Sequence, residues 1–150
     1  MEYLAQLAAN PFEHLIKERT VEFYLDIPPQ TKQSVRFKGH AYTDPKKKAY
    51  VRDLKRLVKS AYKGPPLSGT IMGTVIYSFH WTQKLDAYKS LGWLFAGTLG
   101  DLDNFTKPLM DSLTGICFHD DSHVVLSSAM KVYTEKAGIY VRLDQVRPKY

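Results

Sequence analysis

Cysteine is nearly missing from this chain. Cys117 is the single one in 150 residues, which excludes an internal disulfide and any multi-cysteine zinc site and leaves it the part of a small core residue. No uninterrupted apolar run approaches the length of a membrane span, and the opening MEYLAQLAANPFEHL shows no basic leader ahead of an apolar core. The expectation is a soluble, cytoplasmic protein with no membrane partner. Glycine (9) and proline (8) are too sparse for a disordered or fibrous chain. Acids are in the minority, 15 Asp and Glu against 21 Lys and Arg, for a formal charge of +6. Such a balance suits a polyanion or an acidic surface, and charge alone does not choose between them.

What is present describes one folded domain. A hydrophobic fraction of 44% with 24% charged residues is ordinary for a globular protein, and this length buries a core without staples. Residues 2–18 carry Leu4, Leu7, Phe12, Leu15 and Ile16 around Pro11, predicting two short helical pieces. TVEFYLDIPP alternates Val21, Phe23, Leu25 and Ile27, a strand stopped by paired prolines, and QTKQSVRFKGHAYT follows as a basic loop or hairpin. Asp44 as N-cap and Pro45 as first residue open a helix to about Tyr62, with Val51, Leu54, Val58 and Ala61 as its apolar stripe and lysines and arginines over most of the rest. TIMGTVIYSFHW predicts a strand, residues 82–99 a long loop, and HVVLSSAMKVYT with GIYVRLDQV two strands forming a hairpin around Glu135–Gly138. The predicted fold class is α+β, a small mixed sheet with packed helices in a single domain.

The chemistry concentrates in GDLDNFTKPLMDSLTGICFHDD, residues 100–121, where a basic protein places five aspartates. Crowded carboxylates repel, so a fold that gathers them calls for a cation. On a helix from about Asn104 to Leu113, Phe105, Leu109 and Leu113 share one face, while Asp103, Lys107 and Asp111 repeat every four residues nearly opposite. Pro108 removes a backbone hydrogen bond, so regular helix is expected only from near Lys107. An N-cap role explains Asp103 alone and leaves Asp101 and the Asp120–Asp121 pair unexplained. An EF-hand loop fails, because Phe105 and Thr106 stand where a third oxygen ligand and a glycine are needed. A haloacid-dehalogenase-like phosphatase shares the spaced aspartates, but Phe105 falls at its Thr or Val position and the chain is short for that doubly wound fold. His119 and His123 flank the acid pair, but a zinc site needs convergent nitrogens and nothing else on the chain supplies a third.

DLDNFTKPLMDSLTG followed by FHDDSHVV resembles the RusA-type Holliday junction resolvases, whose pattern runs D-x-D-N, Lys, a D-[AS]-L helix end, then D-D-[SA] and a strand. YLDIPPQTKQSVRF resembles the family's first strand and basic loop, and KVYTEKAGIYVRL its last hairpin. The likeness covers about residues 21–145, dividing the chain into an N-terminal helical extension, 1–20, and a RusA-like endonuclease domain, 21–150. Gly100 and Pro108 depart from the family's usual residues; neither removes a ligand. The resemblance implies a Mg²⁺-dependent endonuclease, with Mn²⁺ as a substitute, that resolves four-way junctions and other branched DNA in recombination and repair as a homodimer.

Under that resemblance Asp101, Asp103 and Asp121 are the metal-holding catalytic carboxylates and Lys107 the catalytic lysine. Hydrolysing a phosphodiester needs a cation to neutralise the anion, and carboxylate oxygens suit Mg²⁺. Lys107 would meet the developing charge, and Asn104 would orient a ligand from behind. Asp120 is either a further ligand or a turn former; Asp111 is expected as a surface acid paired with Lys107. DNA contact is expected at Lys32, Arg36, Lys38 and Lys131 and on part of the 46–59 helix, where the bland alternative is a solvated face. Trp81, Trp93 and Phe95 are either core or dimer contacts or platforms for unpaired bases. The rival class is a catalytically silent DNA-binding protein of the same fold, against which stands the presence of all three aspartates and the lysine.

Overall fold

The computed structural model describes residues 1–31 and 45–150 in full, and residues 36–37 and 41–42 as backbone. Strand β1 covers Leu15–Leu25, with Val21, Phe23 and Leu25 turned toward the core as their alternation requires. It starts at Leu15, five residues before the predicted TVEFYLDIPP, so a boundary at residue 20 falls inside it. The cause is tertiary: the last strand of the chain runs far enough to pair Leu15 with Pro148, and this outweighs the helical spacing of Phe12, Leu15 and Ile16. Helix α1, Glu2–Ala9, and a 3-10 turn, Pro11–His14, are what remain of the two predicted helical pieces. β2 (Arg36–Phe37) and β3 (Ala41–Tyr42) pair as a small separate ribbon.

Helix α2 runs Pro45–Ala61. Its predicted cap, Asp44, lies outside the described residues. Tyr50, Leu54 and Val58 form the buried face, while Ala61 is exposed, so the buried arc is turned toward Tyr50 from the predicted stripe. β4 is Thr70–His80. The predicted loop after it holds a 3-10 helix, Gln83–Leu91, and a two-residue strand, β5, Leu94–Phe95. Helix α3 spans Leu102–Leu113, β6 Val124–Thr134 and β7 Gly138–Pro148.

The five-stranded sheet has the order β1-β7-β4-β6-β5. β6 and β7 are therefore not a hairpin: β4 lies between them, parallel to β6 and antiparallel to β7. β4 buries Ile71, Met72, Val75, Tyr77 and Ser78, which line both of its faces, and such a strand gains most from a central place. Residues 135–137 step over its end, where the Ser78 hydroxyl donates to the Lys136 carbonyl at 3.2 Å and the Trp81 N–H to the Thr134 carbonyl at 3.2 Å. This mixed sheet with helices on one face is the predicted α+β class and is unlike the parallel, doubly wound sheet of a haloacid-dehalogenase-like phosphatase.

α2 and α3 lie side by side on one face of the sheet, closing a core with Leu54, Leu109 and Leu113 from the helices and Val75, Tyr77 and Val141 from the strands. On the other face Asp144 is fully buried. A buried carboxylate without partners costs several kcal/mol, and here Thr20 donates to it at 2.5 Å while Arg142 Nε approaches to 3.3 Å and Lys17 Nζ to 3.9 Å. The cluster joins β1 to β7 at the paired positions Thr20 and Asp144.

Burial pushes the Cys117 thiol from 9.0 up to about 12 and raises the Tyr77 phenol as well. Both hold their protons more tightly folded than unfolded, so above the unfolded thiol value the unfolded chain binds fewer protons and stability falls as pH rises. Thermal melts should therefore drop progressively above about pH 9. Cys117 should also resist a thiol reagent at pH 8 until the chain is unfolded; fast labelling of the native protein would show that the site is open.

Candidate active site

α3 is built with two faces. Phe105, Leu109 and Leu113 are buried, and Phe105 lies 5.5 Å by ring centroids from both Tyr77 and Phe79 of β4. That anchorage leaves Asp103, Lys107 and Asp111, all exposed, on the outer side. The helix starts at Leu102, five residues before the predicted start at Lys107. Pro108 removes one donor, but its ring is buried in the core and the first turn has other supports. The carbonyl of Asp101 accepts from the N–H groups of Asn104 (3.1 Å) and Phe105 (3.3 Å). Tyr77 donates to the Thr106 hydroxyl at 2.8 Å, which donates in turn to the Leu102 carbonyl at 2.9 Å.

Asp101 is the N-cap residue, yet its side chain makes no capping bond. Its carboxylate is exposed rather than spent on the helix. Gly100 precedes it with φ +77°, a conformation that favours glycine, and a Cβ there would come within 3.3 Å of the Phe105 ring. Lys131, on β6, donates to the Gly100 carbonyl at 2.5 Å and so pins the residue before Asp101. The structure thus sets this predicted DNA contact at the edge of the site, with its ammonium engaged by the protein. Asn104 is half-buried one residue beyond Asp103.

The second half of the site arrives from the turn after α3. Gly115, at φ +84°, turns the chain, and its N–H donates to the Phe118 carbonyl at 2.7 Å. Asp120 then caps a 3-10 turn, Asp121–His123, by accepting from the Ser122 N–H at 2.8 Å. That bond is the main reason its carboxyl is held below the usual carboxylate value. Of the two roles open to Asp120, the turn-forming one is what this geometry uses. Asp121, one residue on, is exposed.

Asp103, Thr106, Lys107, Met110, Asp111 and Asp121 line one hollow of about 260 Å³. Asp103, Lys107 and Asp121 were expected to act together; Asp101 and Asp120 stand outside this lining. Asp111, read as a surface acid, faces the hollow, a placement already contained in its four-residue step from Lys107. No motif in the sequence marks Thr106 and Tyr77, whose role is to hold the helix. Among the described residues no three His, Cys, Asp or Glu side chains are close enough to form a ligand set for a metal ion. Mg²⁺ commonly takes one or two carboxylates and keeps several waters, so the oxygen-only pair Asp103 and Asp121 fits that ion. Lys32 and Lys38 lie outside the described residues, as does the side chain of Arg36. Trp81 is buried and stacks on Tyr133 at 6.2 Å, which removes it as a base platform, whereas Trp93 and Phe95 are exposed and meet edge to face at 5.0 Å.

Cutting a phosphodiester calls for neutralising an anion at the point of attack, and carboxylates with one lysine on a basic chain are residue types suited to that chemistry. The family model described as endodeoxyribonuclease RusA matches residues 26–144. The chain belongs to this family. No curated protein matches it.

Tyr77→Phe removes the hydroxyl that steadies the first turn of α3 while keeping the ring that packs on Phe105. It should cost about 1 kcal/mol, lowering the melting temperature by about 2–4 °C. A melting temperature equal to that of the parent chain would show that the hydroxyl pair carries no stability.

Proposed function

We propose that this chain is a divalent-metal-dependent endonuclease that resolves four-way DNA junctions in recombination and repair, acting as a cytoplasmic homodimer. The observation that carries the reading is the meeting of Asp103 and Lys107, from α3, with Asp121, from the turn after it, around one hollow in a member of an endodeoxyribonuclease family. Asp103 and Asp121 would hold Mg²⁺, with Mn²⁺ as substitute, and Asp101 stands two residues from Asp103 with its carboxylate available. Bound there, the ion would neutralise the scissile phosphate and acidify a water. Lys107, one helical turn from Asp103, presents a point charge where negative charge grows in the transition state. Asn104 and Lys131 act behind them, Lys131 by fixing the carbonyl before Asp101. Lys32, Arg36 and Lys38 supply phosphate contacts from the basic segment after β1. A four-way junction has two-fold symmetry, so paired cuts need two sites and hence two copies of the chain.

Incubation with a synthetic four-way junction and with linear duplex, each with and without Mg²⁺, tests the reading. Cleavage should require the ion and favour the junction. Equal cutting of both DNAs would make the enzyme a general nuclease, and binding without cutting would leave a silent DNA-binding member of the family.

Asp121→Asn should abolish cleavage while sparing most junction binding, which rests on basic residues. Lys107→Ala should slow cleavage by about 10²–10³-fold, with a much smaller change in junction affinity. A loss of binding in proportion to rate would make Lys107 an ordinary phosphate contact.

A further inference from the structure

The outer face of α2 carries a second concentration of charge that the site does not use. Lys48, Arg52, Lys55, Arg56 and Lys59 line one shallow surface hollow on this helix. At about 100° per residue they fall within an arc of about 100°, and from first to last they extend about 16 Å along the axis. The arc lies opposite Tyr50, Leu54 and Val58, which are buried, so packing fixes its outward direction. Among the described residues none of the five takes part in an ion pair. Like charges at spacings of three and four residues destabilise a free helix, and here five such pairs, Lys48/Arg52, Arg52/Lys55, Arg52/Arg56, Lys55/Lys59 and Arg56/Lys59, stand on a helix whose one acid is Asp53.

We propose that this stripe is a track for the phosphate backbone of duplex DNA, holding one arm of the substrate away from the cutting site. Charge complementarity selects the partner: five fixed cations over about 16 Å meet a duplex carrying one phosphate per about 1.7 Å of axis, so about three to five contacts are available along its near side. The helical layer supplies the position. α2 lies beside α3 on the same face of the sheet, and Lys47, in its first turn, shares a hollow with Gly100 and Phe105 at the start of α3. The stripe thus begins beside the end of α3 that bears Asp101 and Asp103 and continues away from it. Contacts to phosphates carry no sequence information, so a track of this kind is indifferent to sequence. The choice of DNA over another polyanion rests on the proposed function.

The test is a salt series. Affinities of the wild-type chain and of the triple variant Arg52→Gln, Lys55→Gln, Lys59→Gln are measured for labelled junction and linear duplex in Ca²⁺. Loss of three phosphate contacts should make log K against log[salt] shallower by about 2–3 on both DNAs. The single variant Lys55→Gln should reduce the slope by about 0.9, which keeps the test available if the triple variant melts early. An unchanged slope in a folded variant overturns the proposal. So does an unchanged DNA slope accompanied by lost binding to vesicles of anionic phospholipid, which would assign the stripe to a lipid surface. Metal-dependent cleavage by the wild-type chain reports on the site and the slope on α2, so the two readings fail separately.

Discussion

The docking of α3 on β4 is the constraint from which the site follows. Phe105, Leu109 and Leu113 can be buried against the sheet only with the helix in one rotation, and that rotation turns Asp103, Lys107 and Asp111 outward. The Tyr77–Thr106 hydroxyl pair and the contacts of Phe105 with Tyr77 and Phe79 hold the first turn, while Lys131 and the tight passage at Gly100 hold the residue before it. Precision at an acidic site matters because carboxylates placed to share an ion gain nothing from a loose arrangement. The apolar core supplies that precision from behind, at no cost in exposed oxygen atoms.

Electrostatics then divides the molecule's outer helical layer in two. α3 carries acids and a single lysine toward one hollow, and α2, beside it, lines a second hollow with five cations, Asp53 being its one acid. The proposed function uses both, since its site would attract an ion while the whole chain attracts a polyanion. Keeping the two charge sets on separate helices, each anchored by its own apolar face, holds the stripe of cations on α2 apart from the carboxylates on α3. The sheet's opposite face treats charge differently: Asp144 is enclosed by Thr20, Arg142 and Lys17 and serves the joining of β1 to β7.

The local patterns were legible in the residues alone. The two-faced α3, the span of α2 and the existence of β4, β6 and β7 all follow from side-chain periods, which act within one or two turns of chain. The early start of β1, the separation of β6 from β7 by β4, and the burial of Trp81 were decided by tertiary structure, because strand pairing joins residues such as Leu15 and Pro148 across nearly the whole chain. The same holds for the site. Spacing alone places Asp103, Lys107 and Asp111 on one helix face. Only the turn through Gly115 brings Asp121 to that face and diverts Asp120 to the Ser122 N–H, since the direction in which a chain leaves a helix is set by hydrogen bonds and packing that no periodicity records.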